Sequence, residues 1–371
     1  MDSLCPYCLN KINKMNVQYV CPECGKIANP SMLERMAGKA PLCREKSCAS
    51  RKIRAREKRC PHSGCGAALP SDILDYDRYL RFCMLGTTGS GKSTMLTVML
   101  HELRNSGLPY VLSWMDDSTK AEFMANESSL YDPENPTPLP ATEPGAPPIP
   151  LQWRLQDSSR MTRNTIPSYS LTIFDGAGED HTKLDPKISR YIVGTETLVI
   201  LIDPMVLGGI RRLVDTDILN WSRTATLGAQ AETELVNGLV NYIKKNCDIP
   251  ANRLIDKNVA VVFTKMDVVM SSFGQFTVTQ PSPHVARRAF VKSDADAVDQ
   301  EIRNWLSTNG EQGFLDAITI SFPPGKVRFF GVSSYGNPPR AAGQLRTILP
   351  HRVLDPLMWM LAEEKIVPTV V

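Results

Sequence analysis

The chain has 371 residues, 42% of them apolar and 22% charged, with a formal net charge of +3. This is the composition of a folded soluble protein with room for two or three domains, and the small net charge decides little about partners. The most apolar run, Thr197 to Ile202, is bounded by Glu196 and Asp203 and is too short to span a bilayer. The Met-Asp-Ser-Leu start lacks a basic-then-apolar signal pattern, so the chain reads as cytoplasmic.

Eight of the ten cysteines fall within the first 65 residues, in four close pairs. A disulfide scaffold of that density suits small secreted domains, and the rest of this chain does not fit that class. Cys5-Pro-Tyr-Cys8 and Cys21-Pro-Glu-Cys24 form a zinc-ribbon pattern, because each C-x-x-C turn aims two thiolates at one point and two turns close a tetrahedron. Gly25 suits the tight turn of such a knuckle. Cys43 with Cys48 and Cys60 with Cys65 form wider pairs that predict a second zinc site, with His62 a bystander inside the last loop. Sequential pairing would make two beads and crossed pairing one interleaved module; the spacing leaves both open. Arg51 to Arg59 is a dense basic run suited to nucleic-acid phosphates or an acidic partner, but it lacks aromatics that would stack on bases. The isolated Cys83 and Cys247 read as inert thiols. Residues 1–68 are thus expected to form a zinc-binding module and 69–80 a connector.

Phe82 to Leu85 is an apolar run that predicts a buried strand. Gly86-Thr87-Thr88-Gly89-Ser90-Gly91-Lys92-Ser93-Thr94 follows, fitting G-x-x-x-x-G-K-[ST], and Leu96, Met99, Leu100 and Leu103 then recur at helical spacing. Glycines let successive N–H groups point inward, and the helix start adds partial positive charge, so the loop is a seat for phosphate. Lys92 would reach the outer phosphates and Ser93 a magnesium ion between them. Tyr110 to Trp114 predicts a strand and Thr119 to Met124 a helix. Asp132 to Pro150 holds eight prolines in nineteen residues and must be an irregular loop. Leu151–Leu155 and Tyr169–Phe174 read as an antiparallel hairpin running into Asp175-Gly176-Ala177-Gly178-Glu179. Thr197–Asp203 and Val259–Phe263 read as buried strands, the second leading into Thr264-Lys265-Met266-Asp267. Residues 207–246 read as mostly helical and 268–292 as a polar excursion. Asp294–Leu306 predicts an amphipathic helix and Lys326–Val332 the last strand, before Ser333-Ser334-Tyr335-Gly336. Arg352–Glu364 predicts the closing helix.

These motifs, in this order, resemble a P-loop GTPase of the translation-factor and Ras-like (TRAFAC) class over residues 80–365. The resemblance implies an α/β fold: a Ras-like sheet with helices on both faces, here preceded by the zinc module, with the GTPase domain at 81–365. It implies GTP and GDP as ligands together with Mg²⁺, and the phosphate loop Gly86 to Thr94 as their seat. The D-x-x-G arrangement implies that Asp175 holds magnesium through water and that Gly178 offers its N–H to the γ-phosphate. Thr264-Lys265-Met266-Asp267 is similar to the [NT]-K-x-D element whose aspartate reads guanine. Ser333-Ser334 stands in the place of the loop that touches guanine O6, with Tyr335 against the base. The Pro-rich 132–150 segment takes the place of the first switch, where Thr142 would meet magnesium and the γ-phosphate, with Thr137 the runner-up. Glu179 departs from the glutamine common in rapid hydrolysers, which implies slow unassisted hydrolysis. Arg160 and Arg163 lie near the switches, but neither is assigned as an arginine finger. The Pro-rich switch, Asp-Gly-Ala-Gly-Glu and Leu354-Asp355-Pro356-Leu357 are similar to bacterial double-GTPase proteins of conflict and defence systems. A protein partner, effector or second GTPase is expected, with nucleic acid less favoured. The competing readings are a GTP-binding scaffold with negligible hydrolysis and a nucleic-acid-binding zinc protein powered by its NTPase.

Overall fold

The computed structural model describes residues 3–37, 39–49, 53–140, 150–175, 186–221, 231–338, 345 and 347–371, with backbone alone at 35, 186–189, 220–221 and 231–232. The fold is mixed α/β. Its main strands are β1 (Arg78–Leu85), β2 (Tyr110–Trp114), β3 (Leu151–Asp157), β4 (Ser168–Asp175), β5 (Thr197–Ile202), β6 (Asn258–Phe263) and β7 (Val327–Gly331). They form a seven-stranded sheet in the order β7-β6-β5-β1-β4-β3-β2. The main helices are α1 (Lys92–Asn105), α2 (Asp117–Leu130), α3 (Pro186–Gly194), α4 (Ala231–Asn246), α5 (Lys292–Thr308), α6 (Gln312–Thr319) and α7 (Asp355–Glu363). No described helix is long and apolar enough to cross a membrane.

The chain divides into two compact units, one comprising Met1–Leu80, Val111–Lys120 and Ile149–Thr172, the other Arg81–Tyr110, Ala121–Pro148 and Ile173–Val371. In the second unit, β5 runs parallel to β1 and β6, and β6 runs parallel to β7, with Ile202 beside Phe263 and Phe263 beside Gly331. A parallel sheet is covered on both faces, which is why β6 reads as an unbroken apolar run. Val259, Ala260, Val261, Val262 and Phe263 have no exposed surface. Phe263 packs edge-on against Trp305 of α5 and Phe314 of α6. Helix α6 was not anticipated from the sequence: it is only two turns long, and its buried Phe314, Leu315, Ala317 and Ile318 are too few to establish a period.

In the first unit, Ser3–Leu4 pairs antiparallel with Lys11–Ile12. A four-stranded sheet follows, in the order Ile27–Ala28, Gln18–Val20, Glu57–Arg59, Ala68–Leu69. Its core is small, formed by Ile12, Val17, Tyr19, Ala55, Leu69 and Ile73 with Cys5 and Cys60. The segment expected as a connector is tied down by polar contacts. Asp72 accepts from the Tyr76 hydroxyl and from Arg154 of β3, and Arg154 Nε donates to Tyr76 at 3.1 Å. Buried Gln152 links the first cysteine knuckle to the start of α2, its amide donating to Tyr7 Oη at 3.3 Å and to Asp116 Oδ2 at 2.8 Å.

Candidate functional site

Parallel strands end on a common edge, and in open α/β sheets that carboxyl edge is where ligands bind. The sequence motifs gather there because each directly follows one of these strands. The phosphate loop follows β1, Asp203 follows β5, Thr264 to Asp267 follow β6, and Ser333 follows shortly after β7. Asp175 is the last residue of β4.

Within the loop, Thr88 and Gly89 are exposed at the tip while Gly86, Thr87 and Ser90 are buried. Gly86 must be glycine because a Cβ there would meet the Leu201 carbonyl oxygen at 2.7 Å. Gly91 caps α1 with φ 84°, in the left-handed region, and no side chain caps the helix start. The uncapped first turn therefore presents N–H groups and the positive end of the helix dipole to the loop. Lys92 is buried and curls back, its ammonium donating to the carbonyls of Gly86 at 3.1 Å and Thr87 at 3.4 Å. Burial pushes the Tyr335 phenol above its ordinary range, opposed by the nearby Thr94 side chain.

Ser93 Oγ donates to Asp175 Oδ2 at 2.8 Å. The other oxygen, Oδ1, is buried without a hydrogen-bond partner among the described residues. Burial pushes the Asp175 carboxyl above its ordinary range, opposed by Lys92 and the Ser93 hydrogen bond. An orphaned carboxylate oxygen beside a serine hydroxyl is an all-oxygen donor set, which fits a hard divalent cation such as magnesium.

Thr264 Oγ1 donates to the Ser90 carbonyl at 2.8 Å, tying the end of β6 to the phosphate loop. Lys265, at φ 52°, directs its ammonium to Asp203 Oδ2 at 2.6 Å. Asp267 Oδ1 accepts from Ser333 Oγ at 2.5 Å. Burial raises the Asp267 carboxyl above its usual range despite that bond. Ser334 lies half-buried beside Ser333. Sequence reasoning missed Asp203, whose signal was an acidic residue directly after a fully apolar strand.

Thr142, Gly178 and Glu179 lie outside the described residues, as do Arg51 and Lys52. Thr137, the runner-up to Thr142, folds back on the end of α2, its N–H donating to the Ser129 carbonyl at 2.8 Å. Arg160 pairs with Asp157 at 3.3 Å. Within the basic run, Arg54 donates to the Ala40 carbonyl at 2.6 Å and Lys58 to that of Ser71, so both cations are engaged inside the module.

The eight N-terminal cysteines form two sets of four, Cys5, Cys8, Cys60 and Cys65, and Cys21, Cys24, Cys43 and Cys48. The spacing left the pairing open, and here Cys5 and Cys8 group with the fourth pair rather than with Cys21 and Cys24. The first pair meets the fourth and the second meets the third, so one site is nested inside the chain segment that the other closes. The grouping has a plain cause: antiparallel pairing of Gln18–Val20 with Glu57–Arg59 brings Cys60 back to the start of the chain. Sulfurs of different pairs lie 3.8 Å apart for Cys5–Cys65, 3.6 Å for Cys8–Cys60, and 3.8 Å for both Cys21–Cys48 and Cys24–Cys43. A disulfide would need about 2.05 Å. A tetrahedron with zinc–sulfur bonds of about 2.3 Å has edges of about 3.8 Å, so the donor sets fit zinc. The Cys24 N–H pointing at Cys21 helps lower that thiol to about 7, whereas burial pushes the Cys5 thiol up and that of Cys60 up to about 11, so the buried ligands would need the charge of a metal to become thiolates. His62 stands apart from both sets, its Nε2 donating to the Lys11 carbonyl at 2.9 Å.

No family model and no curated protein matches the chain. Among solved structures it is similar to the Saccharomyces cerevisiae Ski7 GTPase-like domain bound to GTP, at 14% identity and TM-score 0.34, covering 78% of this chain and 51% of that one. It is also similar to the Arl6 BBS3 small GTPase of Trypanosoma brucei with a bound nucleotide analogue, at 12% identity and TM-score 0.30, covering 77% and 98%. A third is a bacterial selenocysteine-specific elongation factor, EF-Sec, at 11% identity and TM-score 0.28, covering 78% and 29%. The chain thus spans about half the length of the Ski7 chain. Likenesses this distant add no weight to the residues themselves.

Proposed function

We propose that this chain is a GTP-binding, magnesium-dependent GTPase that acts as a regulatory switch, with a zinc-stapled N-terminal module for partner recognition. One observation carries the reading: the Asp267 carboxylate stands at the end of β6, its Oδ1 held by Ser333, on a segment that Thr264 ties to the phosphate loop. A phosphate seat and a fixed acceptor for a base edge are thereby joined. Asp267 accepts from guanine N1–H and the 2-amino group, a donor pair that adenine lacks, while the Lys265 stem lies along the base. Adenine in that place would leave the carboxylate buried and unpaired, at a cost of about 1–3 kcal/mol or more. Gly86 to Thr94 wrap the phosphates, and Lys92 leaves the Gly86 and Thr87 carbonyls to meet the outer ones. Ser93 and Asp175, with Thr142, would hold magnesium, which when bound neutralises charge between the β- and γ-phosphates.

Gly178 offers its N–H to the γ-phosphate, and Glu179 receives a proton from water but has no donor for the phosphate. Hydrolysis is therefore slow until a partner assists. The same Glu179 favours a second reading, a GTP-dependent scaffold with negligible turnover; single-turnover hydrolysis of bound GTP separates the two. The zinc sets belong to a reducing compartment, in keeping with the cytoplasm. The partner is an effector protein or a second GTPase, and neighbouring genes of either kind would support the kinship with defence-system GTPases.

Asp267→Asn tests the base reading directly. The new amide N–H faces the guanine 2-amino group but suits the 2-oxo group of xanthine. GTP affinity should fall by about two orders of magnitude or more, and XTP affinity should rise. Equilibrium binding of GTP, ATP and XTP to both proteins decides it: a wild-type preference for ATP, or an unchanged GTP affinity in the variant, removes the GTPase reading.

A further inference from the structure

An aspartate carboxylate turns freely about its last torsion, so a base reader needs something to hold it. Ser333 Oγ donates to Asp267 Oδ1 and itself accepts from the Gly336 N–H at 2.8 Å. The loop 333–336 is in turn edged by a segment eighteen positions further along the chain. Ser333 and His351 form an antiparallel bridge, Ser333 N–H donating at 3.0 Å and His351 N–H donating back at 2.8 Å. Leu349 N–H donates to the Tyr335 carbonyl at 3.1 Å. The approach is close enough that a Cβ on Gly336 would lie 1.8 Å from the Leu349 carbonyl oxygen.

The edging segment is itself anchored. His351 Nε2 donates to the Val278 carbonyl at 2.8 Å. Arg352, 5% exposed and at φ 52°, uses all five of its N–H donors. Nε reaches the Gln280 carbonyl at 2.9 Å, Nη1 reaches Asp294 Oδ2 at 2.8 Å and Asp355 Oδ2 at 2.6 Å, and Nη2 reaches Asp294 Oδ1 at 2.9 Å and the Thr277 carbonyl at 3.0 Å. Residues 277–280, α5 and the start of α7 therefore converge on this one guanidinium. A fully used planar fork has a single geometry, so the backbone of 351–352 is fixed and Ser333 with it.

We propose that His351 and Arg352 are specificity-determining positioning residues: through the bridge to Ser333 they orient the Asp267 carboxylate toward the guanine edge. Neither touches the nucleotide. The inference rests on the guanine reading of Asp267 and adds to it the element that sets how sharply the base is read.

The test is equilibrium binding of GTP, ITP and ATP to the wild-type chain, His351→Ala, His351→Gln, Gly336→Ala and Arg352→Lys, with thermal unfolding of each. ITP lacks the 2-amino group, so the GTP-to-ITP ratio reports the aim of Asp267 rather than overall affinity. His351→Ala should reduce that ratio on the order of tenfold, as expected when a polar partner is misplaced. His351→Gln, which keeps a donor for Val278, should restore most of it. Gly336→Ala should reduce it by pushing the two segments apart, and Arg352→Lys, which cannot reproduce the fork, should do the same. If an Arg352 variant fails to fold, the His351 pair still decides. A wild-type ratio in folded His351→Ala, or the same loss in His351→Gln as in His351→Ala, overturns the brace while leaving Asp267 as base reader. A wild-type chain with no preference for GTP over ATP overturns both.

Discussion

The cysteine-bearing module and the parallel sheet solve the same folding problem with different materials. In the second unit, β6 alone buries five consecutive side chains completely, and Phe263 is enclosed by aromatic rings from α5 and α6. Among the described residues of the first sixty-nine, Cys5, Cys21, Cys60, Ile12 and Ala55 are fully buried, and the hydrophobic side chains packed against Cys21, Cys43 and Cys48 are the only partly buried Cys24 and Ile53. A segment that short buries little apolar surface to offset its chain entropy, and under the proposed zinc reading the two metal sites supply what a larger core would. The contrast teaches where each part is fragile: the module to loss of its ligands, the sheet to loss of a side chain.

Metal removal should break the comparison most sharply. Apparent zinc-binding energies of small structural sites are about 10–16 kcal/mol at neutral pH, more than such a module can spare. The intact chain should carry close to two zinc ions, and a strong chelator should unfold the module while GTP binding persists. Eight freely titratable thiols in the native, untreated protein would overturn the zinc assignment. Nesting sharpens this test: Cys8→Ser and Cys60→Ser should weaken the same zinc ion, and Cys21→Ser the other. Weakening of one ion by both Cys8→Ser and Cys21→Ser would restore the sequential ribbon.

In the other unit, Phe263→Ala should cost about 3–5 kcal/mol, because the surrounding rings cannot collapse into the space. Urea unfolding followed through tryptophan fluorescence measures it, and a loss below 1 kcal/mol would mean that this core is loosely packed. The smallest effect is expected at the module surface. Lys14 and Asp75 approach to 3.8 Å with both side chains more than half exposed. Losing such a pair changes stability by about 0–1 kcal/mol and less at high salt. A larger, salt-insensitive cost of Lys14→Gln would show that electrostatics share the staple's role.

What the sequence determined by itself was local. The strand, Gly-rich loop and helix from Phe82 to Leu103 were legible because the motif and its flanking periodicity lie within about twenty residues. The same holds for the buried strand before Thr264 and for each cysteine knuckle, where two ligands sit three to five positions apart. Tertiary structure decided which knuckle meets which, since a C-x-x-C turn has no preference among partners until strand pairing brings Cys60 to Cys5 and Cys8. It also decided that Lys265 meets Asp203 and that His351 bridges to Ser333. Each of these joins residues distant in the chain through a single hydrogen bond or bridge. Hydrophobic period and turn chemistry report what a segment does with its neighbours, whereas a partner tens of positions away is chosen only when the strands between them have packed.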